Sequence, residues 1–397
     1  MLGREVMMLH KEKFLLIPGP TEVPPEVLAV MGQPILAHYM DEWLELYNET
    51  INMLKEVFQT KNDVFIITGS CSAALEAAVC SIIEPGDKVI ADEIFRIAVK
   101  AHGGKLIDVS VPIGNYNTPE RIEEVLKREG DVKAVALLHN ISWGGVTNPI
   151  DEIGEIINKY GAIFIVDAVS SLGGIDLKPD EWHIDMPCSG PQKALSVPPG
   201  ISFLSVSQRA WEVMEKRKEP VQSWYLNLLY YRRPPIDPEK TWHPTPTTCS
   251  TVLIRALWQS LKMILKEGLE NVFKRHTVAA KAMRKGIENM GLELLVKDEK
   301  HASNTVTVVV WPEGYDYKKF WYTLYNDYNI MIGNPPIQQP IPGKTIFRVS
   351  HMGSTAQPAV VLMALSYIEA ALMRVGYKVK AGASVAAAQE VFERFLG

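Results

Sequence analysis

The chain runs to 397 residues, too long for one simple core, so two or three domains are expected. With 47% hydrophobic and 22% charged residues, a net charge of −5 and no strongly basic block, it gives nucleic acid or an anionic membrane surface little to hold, although local arginines could still bind a small acid. No apolar run approaches the roughly 20 residues of a membrane span, residues 1–10 lack a signal-peptide core, and Cys71, Cys80, Cys188 and Cys249 are spread without a CxxC pair, which argues against a disulfide scaffold or a metal site and for the cytoplasm.

The first 25 residues carry Pro18-Gly19-Pro20 and Pro24-Pro25 and cannot be regular structure; they are expected to cross from a small domain to a large one. From residue 63 to 206, short β-rich runs alternate with helical patterns. Strands are predicted at 64–68, 88–91, 106–111, 134–138, 162–166 and 201–206. Helices are predicted at 72–83, at 95–102, after the Thr118-Pro119 start signal, and along the face made by Ile150, Ile153, Ile156 and Ile157. The alternation means an α/β fold with a mostly parallel sheet covered on both faces. Ligands of such sheets bind beyond the carboxyl ends of the strands, where Thr68, His139 and Asp167 fall. Residues 219–248, rich in Tyr, Trp, Pro and Arg, read as a surface excursion, either a lid or a subunit contact. A long helical pattern from 252 to 290, broken near Gly268, leads to strands at 306–310 and 346–349 and helices at 317–328 and 359–373. The expected division is a spanning segment at 1–25, a large domain at 26–265 and a small C-terminal α+β domain at 266–397.

Four elements carry chemistry. Thr68-Gly69-Ser70-Cys71-Ser72 lies between a strand and a helix, so it is either an anion cradle of backbone N–H groups and hydroxyls or a tight turn with an N-cap. Asp167 ends a strand, where it can bind a metal, cap a helix or face a cationic ring nitrogen; alone, the cap is the commonest reading. Lys193, in Ser189-Gly190-Pro191-Gln192-Lys193-Ala194-Leu195-Ser196, lacks the charged neighbours of a solvated surface lysine, and a lysine kept from water can form a Schiff base. Arg348, inside the apolar run Ile346-Phe347-Arg348-Val349, wants a carboxylate or phosphate partner; an internal salt bridge is the bland alternative. A phosphate cradle, a partner for a pyridine nitrogen, a Schiff-base lysine and a carboxylate-binding arginine together are what pyridoxal 5'-phosphate (PLP) chemistry needs.

On these residues the chain resembles the class V aminotransferases, the alanine–glyoxylate and serine–pyruvate group. The most specific matches are Ile165-Val166-Asp167-Ala168-Val169-Ser170-Ser171-Leu172-Gly173-Gly174 and Gln192-Lys193-Ala194-Leu195 with Pro198-Pro199-Gly200. The resemblance implies the PLP-dependent transferase fold of type I and a homodimer with shared sites. It implies that Lys193 holds the cofactor and moves the substrate proton, and that Asp167 keeps the pyridine nitrogen protonated. It places Phe95 as the ring stacked on the cofactor, Ser70, Cys71, Ser72 and Gln192 at the phosphate, and Ser142 near the 3′-oxygen. Trp242 and Thr245 would reach the phosphate of the neighbouring subunit. Arg348 would bind the substrate carboxylate, the Pro18-Gly19 backbone would line the pocket, and Trp143 would bound it. The implied reaction moves an amino group from a small amino acid, alanine or serine, to glyoxylate or pyruvate by a ping-pong route.

The chain departs from the group at Cys71, where glycine is usual, at His139-Asn140-Ile141-Ser142-Trp143-Gly144-Gly145, where Ile141 replaces a glutamate, and at Trp242, where tyrosine is usual. The tail from Arg348 to Pro358, Arg209-Ala210-Trp211 and Ala280-Lys281-Ala282-Met283-Arg284 look similar to pyridoxamine–pyruvate aminotransferases, which act on a free B6 vitamer and carry an acid in the phosphate turn. Ser70 stands at that position here, which favours a PLP-holding enzyme. A cysteine desulfurase of the same fold would need a cysteine on a late loop, and none follows Cys249. A non-catalytic scaffold of this fold would have lost Lys193 or Asp167, and both are present.

Overall fold

A computed structural model of the chain describes residues 13–232 and 244–396. Its centre is a seven-stranded sheet in the order Asp63–Thr68, Ile201–Val206, Met186–Ser189, Ile163–Asp167, Ala134–Leu138, Lys88–Ala91, Lys105–Asp108. Every neighbouring pair is parallel except those made by Ile201–Val206, which runs antiparallel to both of its neighbours. The central strands are buried throughout because helices cover both faces. Side chains alternate between two cores with the period of a strand: Ala134, Ala136, Ile163 and Ile165 face one, while Val135, Leu137, Phe164 and Val166 face the other. The first core is closed by Cys71–Ile82 and the second by Asp41–Phe58, Ile150–Tyr160 and Thr251–Glu267.

A third core lies over a smaller antiparallel sheet of Glu293–Leu294, Val306–Val310 and Ile346–Ser350. It contains Met283, Phe320, Phe347, Leu365 and Phe392, and also Leu16 from the N-terminal strand Phe14–Leu16, which pairs with Ile330–Ile332. Val27, only a few residues on, packs in the core of the large sheet. The segment between them therefore bridges two cores.

Several elements depart from the sequence reading. The 106–111 strand is Lys105–Asp108, because Asp108 turns to accept the Ser110 N–H at 2.9 Å and ends the pairing. The 317–328 helix is α-helical over Tyr317–Tyr322 and widens to a π-helical turn at Thr323–Asp327. Helices Pro25–Met31, Asp41–Phe58 and Ala383–Leu396 were not anticipated. The second has a legible stripe of Trp43, Tyr47, Met53, Leu54 and Val57. The Thr118 start signal is realised: its Oγ1 accepts the Arg121 N–H. The helix break at Gly268, with φ +86°, is also present.

Candidate active site

Five of the six strands that run the same way, those ending at Thr68, Ala91, Leu138, Asp167 and Ser189, turn over on one edge of the sheet, and the residues singled out above come together there. Lys193 follows the Met186–Ser189 strand in a turn closed by the Ser196 N–H on its carbonyl at 2.9 Å. Its Nζ donates to the Pro18 carbonyl. Thr21 adds a hydroxyl on the Lys193 carbonyl at 2.8 Å and a backbone N–H on the Gln192 carbonyl at 3.2 Å. Gly19, at φ +121°, is required for this approach: a Cβ there would lie 2.7 Å from Nζ. Burial lowers the Lys193 pKa below its usual value, Cys71 and Asp167 oppose that shift, and Arg348 adds to it.

Asp167 is buried beside it. Its Oδ1 accepts the Val169 N–H at 2.8 Å, a local turn rather than the helix cap expected, since no helix follows the strand, and it makes no other side-chain hydrogen bond or ion pair among the described residues. Burial pushes its pKa up to about 6, against the pull of the Val169 N–H and the Lys193 charge. Cys71 opens the helix Cys71–Ile82, and its Sγ meets the Gln192 amide, 2.9 Å from Nε2 and 3.2 Å from Oε1. A Cβ on Gly190 would fall 2.0 Å from that sulfur, so glycine is needed for the contact. Burial holds the thiol protonated, its pKa pushed up to about 11. Ser70 and Ser72 flank it with exposed side chains, and Ser70 makes no side-chain capping bond. The first N–H groups of a helix have no partner within it, and here two hydroxyls stand beside them.

Arg348 reaches the same edge from the small sheet. Its Nε donates to Asn334 Oδ1 and its Nη1 to the Ser142 carbonyl at 3.3 Å. No carboxylate of the described residues pairs with it, so the internal salt bridge is not what occupies this arginine. Burial lowers its pKa. Ser142 is buried and Trp143 half-buried at the tip of the Asn140–Ile141 and Val146–Thr147 hairpin. That hairpin is tied to the segment after Asp167 by Asn140 Nδ2 on Ser170 Oγ at 3.0 Å and Ser170 Oγ on the Asn140 carbonyl at 2.7 Å.

Other residues fall differently. The Phe95 ring is fully buried in the core cluster with Leu75, Ala78 and Val99 and presents no exposed face. His139 packs edge-on against Trp182 with its Nδ1 buried and unpaired, and burial drives its pKa down to about 3, so it stays neutral. Thr245 is buried, with Oγ1 donating to the Thr247 carbonyl at 2.7 Å; the nearby Ser250 N–H reaches Thr68 Oγ1 at 3.1 Å. Trp242 lies outside the described residues. Arg209 pairs with buried Asp185, and Trp211 Nε1 donates to Asp63 at 3.0 Å. Arg284, in the second similar segment, donates to the Ser303 carbonyl at 3.1 Å. Both segments hold the fold and say little about substrate.

Sequence reasoning missed Asn334 and Asp92. Asn334 takes φ +61°, which asparagine tolerates, and the Gly333-Asn334-Pro335-Pro336 run was a turn signal for it. Asp92 is buried and accepts the Leu138 N–H at 2.9 Å and Asn117 Nδ2 at 3.0 Å, joining two strand ends.

Residues 13–334 match the family model described as aminotransferase class-V. The chain is 43% identical over 375 residues to an uncharacterized aminotransferase of Methanocaldococcus jannaschii, covering 93% of this chain and 95% of that protein. It is 32% identical over 387 residues to a pyridoxamine–pyruvate transaminase of Mesorhizobium japonicum, covering 94% and 95%. Among solved structures, a ureidoglycine–glyoxylate aminotransferase from Bacillus subtilis superposes with a TM-score of 0.89 at 33% identity, covering 96% of this chain and 98% of that one.

Proposed function

Since the chain belongs to the class V aminotransferase family, we propose that it moves an amino group from a small monocarboxylic amino acid, alanine or serine, to glyoxylate or pyruvate, using PLP held at the strand edge around Lys193. The observation that carries this is the convergence of half-buried Lys193, a buried Asp167 without an ion-pair partner and an arginine without an acidic partner on one edge of the sheet. The residues suit the cofactor. The N–H groups of Cys71 and Ser72 at the helix start, with the Ser70 and Ser72 hydroxyls and Gln192, would hold its phosphate. Asp167 would keep the ring nitrogen protonated, and Ser142 would stand by the 3′-oxygen. PLP supplies the electron sink that acidifies the substrate Cα–H. Lys193 would hold the cofactor covalently and, once displaced by the amino acid, carry the Cα proton on its Nζ. Arg348 would grip the carboxylate common to donor and acceptor, with Gly19 and Trp143 bounding the side-chain space.

Arg348 is a cation whose charge acts on Lys193, and its guanidinium offers one fork for one carboxylate. A second substrate carboxylate would find that fork already taken. In a half-reaction screen followed by cofactor absorbance, alanine or serine is expected to react at least about 100-fold faster than aspartate or glutamate. Equal rates for dicarboxylates would sink the monocarboxylate assignment. Pyridoxamine belongs in the same screen: faster reaction with it than with any amino acid would make a free B6 vitamer the donor.

The raised Asp167 pKa sets a pH dependence. Its ionised form must face the protonated ring nitrogen, so PLP affinity should fall as pH drops through about 6 and level off above it. In cofactor-free protein the sign reverses: the stability contributed by protonated Asp167 is present at low pH and lost as pH rises through about 6. Equilibrium dialysis and melting curves at pH 5 and 8 check the two signs.

A homodimer with sites shared between subunits completes the proposal. Exposed Ile35, Met40, Ile97 and Trp224 offer apolar surface that a second subunit would cover. Sedimentation equilibrium should give twice the chain mass of 44.4 kDa, and a monomer would remove the shared-site idea. The cytoplasm is the compartment proposed; among the described residues no helix is long and apolar enough to cross a membrane.

A further inference from the structure

The turn after Lys193 and the turn after Arg348 are locked together at one side chain. Ser196 is buried and adopts φ +53°, an uncommon conformation for a residue with a Cβ. Its N–H closes the Lys193 turn, and its Oγ accepts the N–H of Ser354 at 2.8 Å. Ser354 belongs to the Gly353–Thr355 turn that follows the Ile346–Ser350 strand. The contact leaves no slack. A Cβ on Gly353, which has φ +62°, would sit 2.1 Å from Ser196 Oγ and 2.8 Å from the Ala194 carbonyl oxygen.

The second turn is gripped from its other sides as well. Arg275 Nη1 donates to the carbonyls of Gly353 at 2.8 Å and Ala356 at 3.1 Å, while its Nε pairs with Glu267 across the helix break at Gly268. The Gly353 N–H donates to His276 Nε2 at 2.9 Å, with His276 Nδ1 2.7 Å from the Val272 carbonyl. Ser354 Oγ donates to the Glu22 carbonyl at 2.8 Å. Four segments from distant parts of the sequence thus meet at a point that touches neither Lys193 Nζ nor the Arg348 guanidinium.

We propose that Ser196 is a positioning residue for transamination: its hydroxyl fixes the Lys193 turn against the turn following Arg348, so that a substrate gripped by the arginine presents its reacting carbon to the lysine. This rests on the reading of Lys193 as the proton-carrying lysine and Arg348 as the carboxylate site. The physical ground is that proton transfer depends steeply on the distance between donor and acceptor, while carboxylate binding by Arg348 does not involve Ser196. Removing the hydroxyl therefore acts on turnover more than on binding.

The test uses Ser196→Ala, which keeps the Cβ, and Ser196→Gly, which also relieves the positive φ, both in PLP-loaded protein. Each is expected to lower kcat by about tenfold or more, with KM for amino and oxo acid changed by less than about threefold. The pH midpoint of the cofactor absorbance should move by about half a unit or more. Hydrogen exchange at the Ser354 amide should quicken, while melting temperature and cofactor occupancy hold. Unchanged kcat and absorbance midpoint in both variants would overturn the proposal. So would a loss of kcat matched by a loss of occupancy or melting temperature. Should neither variant fold, Ser196→Cys, which keeps the side-chain shape but is a much weaker acceptor for the Ser354 N–H, must give the same signature. Turnover surviving in Lys193→Ala would instead remove the site reading beneath the proposal, a result distinct from any of these.

Discussion

Lys193→Ala is expected to lower turnover by at least about 10³-fold while leaving a measurable fraction of PLP bound. The size follows from two losses at one atom. On the proposed reading Nζ would be both the point of covalent attachment and the base that moves the Cα proton, and the neighbouring Arg348 could not replace it, because its guanidinium cannot be deprotonated. Burial lowers the Lys193 pKa, which raises the share of neutral amine at pH 7. Lys193→Arg should fail as completely, because it keeps charge and length but cannot act as a base. Residual binding follows from the groups left behind, the helix start at Cys71 and the Asp167 carboxylate. A small primary amine added to Lys193→Ala should restore part of the rate, since the space vacated by the side chain opens on the Gly19 backbone. Turnover within tenfold of the unsubstituted protein, measured by single-turnover absorbance, would show that Lys193 does not carry the proton.

Arg348→Ala is expected to lower kcat/KM for both amino acid and oxo acid by roughly 30- to 1,000-fold, about 2–4 kcal/mol, chiefly through KM. Both substrates bear the carboxylate, so both half-reactions should suffer. The guanidinium is already aimed by Asn334 Oδ1 and the Ser142 carbonyl, which limits the entropy lost when it binds. Arg348→Lys should recover little, because a point charge reproduces neither the fork nor those two anchors. The substitution also separates donor classes. A pyridoxamine donor has no carboxylate, so its half-reaction should be untouched while that of pyruvate is lost. Intact kcat/KM for both acids would refute the carboxylate role.

The sequence by itself determined the α/β class. Fully apolar runs such as residues 163–166 have no place except between two helical layers, and strand–helix alternation forces parallel pairing. Four of the chemical residues were legible for a similar local reason. Asp167 and the Ser70 turn sit where a strand ends, Lys193 lacks charged neighbours, and Arg348 interrupts an apolar strand. Each is anomalous within a few residues of itself. His139 met the same positional criterion, yet its ring faces Trp182 on the other side of the sheet, because which way a strand-end side chain points depends on packing that no local pattern records. Tertiary structure alone decided what lies opposite each group: Pro18 over Lys193, Gln192 on Cys71, Asn334 behind Arg348, and Ser196 against Gly353. These contacts join segments far apart in the chain, and their short range leaves no trace in the periodicity of either segment. Phe95 shows the same limit, since its full enclosure is set by the helix and strands around it rather than by its own neighbours in sequence.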